Sequence, residues 1–164
     1  MSTNYTEIAK LLRDKDCFLK KDLIEFKCEG TSMNPVLKAG DEILVRRIPL
    51  SCLCFGDVIT YEENGTFITH RFLYSRSKKN QTMMVTKADN RLKLDKPVTP
   101  LFLLGKVVGI SRNGQRIEME TKWWYFSSRL IALLSLMEGQ LFEIFLSLKK
   151  VAKMALFFSG IRCK

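Results

Sequence analysis

Gly30-Thr31-Ser32-Met33-Asn34-Pro35, with Gly40-Asp41 shortly after it, is the stretch on which the fold turns. It lies between two alternating runs, Leu23 to Cys28 before it and Glu42 to Arg47 after it. Each reads as a β-strand. A serine hydroxyl between two strands can be held rigidly and still face a cleft. A nucleophile needs that placement, together with a nearby base and amide donors for an oxyanion. By itself a Gly-x-Ser loop is most often only a turn. The chain has one histidine, His70 in Thr69-His70-Arg71, so the search for a base is short.

Outward from this loop the strand signals continue. Gly56-Asp57 opens a strand from Val58 to Tyr61. Glu63-Asn64-Gly65 is a hairpin signal, because Asn-Gly readily takes the positive φ angles of a type I′ turn. The returning strand, Thr66 to Tyr74, carries His70. Ser75 to Gln81 reads as a basic loop and Thr82 to Thr86 as a strand. Pro97 to Pro100 is extended, and Leu101 to Ile110 is apolar and β-rich. Asn113-Gly114 is a second hairpin signal, closing onto Arg116 to Glu120. Many short strands with frequent turns predict a mainly β fold, an antiparallel coiled sheet or β-barrel.

The two ends read differently. Thr6 to Leu19 predicts a short helix with Ile8, Leu11, Leu12 and Phe18 on its apolar side. From Ser127 the pattern is helical, with Gly139 separating two helices. The expected division is an N-terminal helical segment over 1–22, a β catalytic domain over 23–120 and a basic amphipathic tail over 121–164. The tail has seven basic and two acidic side chains. It reads either as a helical cover for the sheet or as an interfacial membrane anchor. In the second case Trp123, Trp124, Tyr125 and Phe126 sit at headgroup level. No uninterrupted apolar run in it reaches the roughly 18 residues of a span.

Composition narrows the partners. The chain has 164 residues and a net charge of +10, which suggests an anionic membrane, an acidic protein or nucleic acid. The basic residues are scattered and no recognition motif is present, so nucleic acid is not expected. Met1 to Phe18 has no apolar core, so neither a signal peptide nor a spanning anchor is expected there. The five cysteines then read as reduced thiols. Cys52 and Cys54, with one histidine and no second cysteine pair, do not make a zinc set. No cofactor or metal is expected, and the predicted location is cytoplasmic or peripheral on the inner membrane face.

A longer constellation carries more. Gly30-Thr31-Ser32-Met33-x-Pro35, Gly40-Asp41, Gly56-Asp57-Val58, His70-Arg71, Thr86-Lys87-Ala88-Asp89-Asn90, Asp95 and Leu104-Gly105-Lys106-Val107-Val108-Gly109 occur in that order. Over about Glu25 to Ile110 the chain resembles the catalytic domain of type I signal peptidases, whose fold LexA-like self-cleaving proteins share. The resemblance implies Ser32 as nucleophile. The His-Arg pair is similar to the endoplasmic-reticulum and archaeal branch, which uses histidine as base, so it implies His70 in that role. Asp89 and Asp95 fall on the branch's two acidic positions, with Asp95 the better match to the group that orients the histidine. The Ser32 N–H and the loop at Gly30 would hold the oxyanion, and Met33 would line the cleft. Lys87 and Lys78 are weaker alternatives as base.

The chain also departs from the pattern. Gly30 replaces a serine that some members use two residues before the nucleophile. Ala88 replaces the usual glycine, and the usual N-terminal anchor is not expected. The function these residues imply is a serine endopeptidase cleaving a leader or signal-type peptide. The alternative is a non-catalytic module of the same fold that binds peptides by strand addition and docks to a membrane or partner protein.

Overall fold

A computed structural model describes residues 23–78 and 81–160. The helix expected over Thr6 to Leu19 lies outside the described residues. The architecture is mainly antiparallel β with one C-terminal helix. The strands are β1 (Leu23–Lys27), β2 (Glu42–Arg46), β3 (Val58–Glu63), β4 (Thr66–Lys78), β5 (Gln81–Lys87), β6 (Leu103–Arg112) and β7 (Gln115–Glu118), followed by α1 (Lys122–Gly160). They form one sheet in the order β1-β2-β6-β3-β4-β5, with β7 paired to β6. Of the two expected forms, coiled sheet or barrel, the barrel is corrected. Among the described residues β1 and β5 end the sheet and do not pair with each other.

Both hairpin signals act as expected. Asn64 and Gly65 have φ of 51° and 80°, and Asn113 and Gly114 have φ of 52° and 75°. Two consecutive positive φ angles match the right-handed twist of the strands they join. The first hairpin sets β3 against β4, with Ile59 opposite His70.

The sheet is buried on both faces near its middle. Along β3 every residue from Val58 to Tyr61 is buried. Val58 belongs to one core with Met33, Leu37, Ile43, Val45, Val107, Ile110 and Met119. Its neighbour Ile59 faces the other way and packs with Tyr61, Phe72, Met84 and Val98. Alternation along one strand thus feeds two cores. Each fully buried aliphatic side chain adds about 1.5–3 kcal/mol.

Two expectations about element limits are corrected. Ser75 to Lys78 do not form a loop but continue β4, paired with Gln81 to Met84 of β5. Ser75, Arg76 and Ser77 are all exposed, although Met84, opposite Ser75, is buried. With Tyr74 to Ser77 all exposed, no apolar alternation marks this end of β4 as strand.

The expected break at Gly139 is also corrected, since α1 is continuous through it. A glycine inside a helix costs only about 1 kcal/mol relative to alanine. Here it also allows a close approach. A Cβ at Gly139 would lie 2.7 Å from the Leu92 carbonyl oxygen. On the sheet-facing side of α1, Ser128, Ala132 and Ser135 are buried, and Trp124 packs against the first core.

The opposite side of α1 is large, apolar and exposed. Trp123, Phe126, Leu130, Leu133, Met137, Leu141, Ile144 and Leu148 recur at three- and four-residue spacing. They make one stripe directed away from the sheet. Lys122–Lys150 is long and apolar enough to cross a membrane by length and composition, at mean hydropathy 1.6 over its most apolar window. Toward the first half of this helix Ser128, Ala132 and Ser135 are buried against the β domain.

Candidate functional site

The serine loop is built by what it buries. Met33 and Leu37, one turn apart, both enter the core, and the Leu37 N–H donates to the Met33 carbonyl at 3.0 Å. This corrects the expectation that Met33 lines the cleft edge. At 2 % exposure it anchors the loop from below, and Ser32 faces outward, half-buried. The far end of the loop is tied by Asp41, whose two carboxylate oxygens accept from Arg112 at 2.8 and 2.6 Å. That fork holds the Asp41 carboxyl below the usual carboxylate range, against the opposing effect of burial. Asn90 closes the top. Its backbone N–H donates to the Ser32 carbonyl at 3.1 Å, and its side-chain amide donates to the Thr31 carbonyl at 2.8 Å.

Against this loop β4 presents His70, which is 5 % exposed. The structure brings Ser32, His70 and Asp95 together. The Ser32 Oγ lies 3.1 Å from His70 Nε2, and His70 Nδ1 lies 2.7 Å from Asp95 Oδ2. Asp95 is set by its backbone, whose N–H donates to the Thr86 carbonyl at 2.9 Å, and its Oδ2 also accepts from the Thr86 hydroxyl at 2.9 Å. An acceptor at Nδ1 selects the tautomer with its proton there. That leaves the Nε2 lone pair to accept from the Ser32 hydroxyl.

The electrostatics suit that tautomer. Burial raises the Asp95 carboxyl, but hydrogen bonds from His70 and Thr86, with the charges of His70 and Arg91, outweigh it. The net shift is downward. Asp95 is therefore an anion near neutral pH and can stabilise an imidazolium. A carboxyl depressed in the folded chain adds stability that is complete above its unfolded value near ~3.9. That stability is lost as pH falls through the lower folded value. Denaturant titrations of wild type and Asp95→Asn from pH 7 downward are expected to converge at acid pH. A constant gap between them would contradict this.

The other predicted residues separate. Asp89 does not pair with His70. Both its oxygens accept from Arg71, Oδ1 from Nε at 2.8 Å and Oδ2 from Nη2 at 2.7 Å. Lys87 points away from Ser32, and its Nζ donates to Ser135 Oγ on α1. Lys78 ends β4, and its side chain lies outside the described ones. Gly30 is exposed, and a Cβ there would lie 4.0 Å from Ser32 Oγ. Among the described residues nothing accepts from the Ser32 N–H, which leaves it able to bind an oxyanion.

Two contributing residues escape a sequence reading. Tyr61 OH lies 3.3 Å from Thr86 Oγ1, and Thr86 gives its own proton to Asp95. The chain of donors therefore runs Tyr61 to Thr86 to Asp95. Burial pushes the Tyr61 phenol up to about 12, with the Thr86 hydrogen bond opposing, so it stays a neutral donor. The only sequence signal was a threonine and a tyrosine inside apolar strands, which packing explains equally well. No protein-family model matches the chain, and no curated protein matches it.

Proposed function

We propose that this chain is a serine endopeptidase resembling type I signal peptidases. Its substrate is a leader or signal-type peptide. The observation that carries the reading is the continuous hydrogen-bonded line Ser32–His70–Asp95. The open antiparallel sheet, with the serine loop after its first strand, supports the finer assignment to the signal peptidase and LexA type of fold.

In this reading Ser32 Oγ attacks the scissile carbonyl carbon while His70 Nε2 takes the hydroxyl proton. The oxyanion meets the Ser32 N–H. The C–N bond then breaks, and Nε2 returns the proton to the leaving amine. A water deprotonated by the same nitrogen hydrolyses the Ser32 ester. Asp95 holds the imidazole, Thr86 and Tyr61 hold Asp95, and Asp89 is a positioning residue acting through Arg71. Mapping new N-termini after incubation with host preproteins tests the reading. New termini are expected with wild type and none with Ser32→Ala. No product from wild type, with equal peptide affinity in both, would replace it by the non-catalytic binding module.

α1 supports a place of action at a membrane surface. Its apolar stripe, opened by Trp123 and Phe126, faces away from the domain. Lys122, Arg129, Lys149 and Lys150 are exposed along the same helix. An anionic bilayer is the occupant that suits both, with α1 lying in the headgroup plane and the β domain above it. Flotation with vesicles containing about one-third phosphatidylglycerol is expected to carry the chain upward. The double change Leu133→Asp with Leu141→Asp should reduce the bound fraction tenfold or more. Dimers without vesicle binding would assign the stripe to a second copy instead.

A further inference from the structure

Lys87 has no part in the chemistry at Ser32, yet it is among the most deeply buried side chains, at 2 % exposure. Side chains alternate along β5. Thr86 therefore turns toward Asp95, and Lys87 turns toward α1. Its Nζ donates to Ser135 Oγ and, at 3.4 Å, to the Ala88 carbonyl. Both acceptors are neutral. Among the described residues no carboxylate lies within ion-pair distance of it, whereas Asp41, Asp57, Asp89 and Asp95 each have a cationic or histidine partner. A buried ammonium with neutral partners is a poor arrangement unless an anion visits it. Burial holds this lysine below its ordinary value, and the more distant charges of Glu138, Asp89 and Asp95 only partly oppose that.

The same side chain lines a cavity of about 620 Å3 between α1 and the segment that follows β5. That volume lies within the roughly 300–1,000 Å3 of small-molecule sites. Leu92, Leu94, Leu136 and Ile144 supply apolar walls, and Ser135 stands beside the ammonium. Lys93, exposed, adds a second cation to the lining. At Gly139 the helix and the Leu92 carbonyl approach so closely that no side chain fits.

We propose that this cavity is a binding site for a single-chain anionic amphiphile, a fatty-acid carboxylate. Its head pairs with Lys87 and its chain lies along Leu92, Leu94, Leu136 and Ile144. The inference goes beyond the peptidase reading and does not depend on it, because binding is read without any cleavage.

The test is calorimetric titration of the full chain with dodecanoate below its micellar concentration, beside dodecanol, which has the same chain length and no charge. Saturable one-to-one binding of dodecanoate is expected, tenfold or more tighter than dodecanol. Lys87→Met should bring the two ligands to within about twofold of each other. Leu136→Trp, which fills the cavity from the helix side, should abolish the saturable phase. It also decides the matter if Lys87→Met does not fold. Equal affinity of wild type for both ligands, or a preference for dodecanoate unchanged in Lys87→Met, would overturn the proposal. So would saturable binding retained in Leu136→Trp. Adsorption to the apolar stripe of α1 would show as non-saturable uptake of both ligands, and that outcome also counts against it.

Discussion

In the proposed peptidase, Ser32→Ala and His70→Ala are each expected to reduce cleavage by about 10^4-fold or more, with the double variant hardly worse than either single one. Groups that act as one unit lose their function together, so their effects do not add. Without the hydroxyl no ester forms. Without the imidazole nothing within reach of Oγ takes its proton, because Lys87 points to Ser135 on the far side of β5. Residual turnover comes from amide donors and substrate positioning alone. The two variants differ in stability. Ser32 is half-buried, and losing one hydrogen bond there costs about 0.5–1.5 kcal/mol. His70 is buried and is the partner of Asp95, so its removal also leaves that carboxylate with Thr86 as its remaining side-chain donor, at a cost of about 1–3 kcal/mol. Asp95→Asn keeps the shape but withdraws the charge that supports the imidazolium, and activity should fall far more than stability. Product formation followed beside circular dichroism and denaturant midpoints separates these effects. Cleavage at the wild-type rate by either single variant would remove Ser32 and His70 from the mechanism.

Sequence reading reached different depths in different parts of the chain, for physical reasons. The two Asn-Gly turns were legible because a type I′ turn is decided by its own two residues. The β3–β4 pairing that places His70 follows from one of them. The meeting of Ser32 with His70 spans 38 positions, and that of His70 with Asp95 spans 25. No local rule fixes contacts at that range, and only the ordered resemblance pointed to them. Met33 was misplaced because an apolar residue beside a nucleophile suits a cleft wall or a core anchor equally. The turn's orientation decides between them, and strand alternation does not extend into the turn. Gly139 was misread because glycine marks both helix ends and close approaches. The carbonyl of Leu92, 47 positions away, selects the second. The partition between Asp89 and Asp95 came from the resemblance alone, which favoured Asp95, since both lie in one short stretch after β5. It is settled by the side chains waiting on β4, where His70 and Arg71 turn to opposite faces.

That partition leads to the largest expected effect on stability, at Arg71 and Asp89. Arg71 is 1 % exposed and the Asp89 side chain 4 %. The guanidinium grips both Asp89 oxygens and also donates to the Gly56 carbonyl at 2.7 Å and to Ser128 on α1. One side chain therefore joins the segment after β5, the turn before β3 and the helix. Asp89→Ala leaves a buried guanidinium without its counter-charge and should destabilise the fold by about 3–5 kcal/mol. Arg71→Lys should recover little, because an ammonium cannot form the planar fork and reach Gly56 as well. In Arg71→Met with Asp89→Leu the charges leave together, so the loss should be smaller than the sum of the single losses. It is not zero, because the Gly56 carbonyl loses its donor from Arg71. Activity should follow by a route distinct from Asp95. Asn90, the next residue, clamps the carbonyls of Thr31 and Ser32, so releasing Asp89 loosens the loop that aims the nucleophile. Under conditions where Asp89→Ala remains folded, kcat should fall while the reacting groups all remain present. Asp95→Asn should show the reverse balance, a smaller loss of stability at neutral pH with little turnover. If Asp89→Ala instead unfolds at the wild-type denaturant midpoint, the Arg71 fork is not what holds α1 and the Asn90 clamp in place. The positioning role given to Asp89 then fails with it.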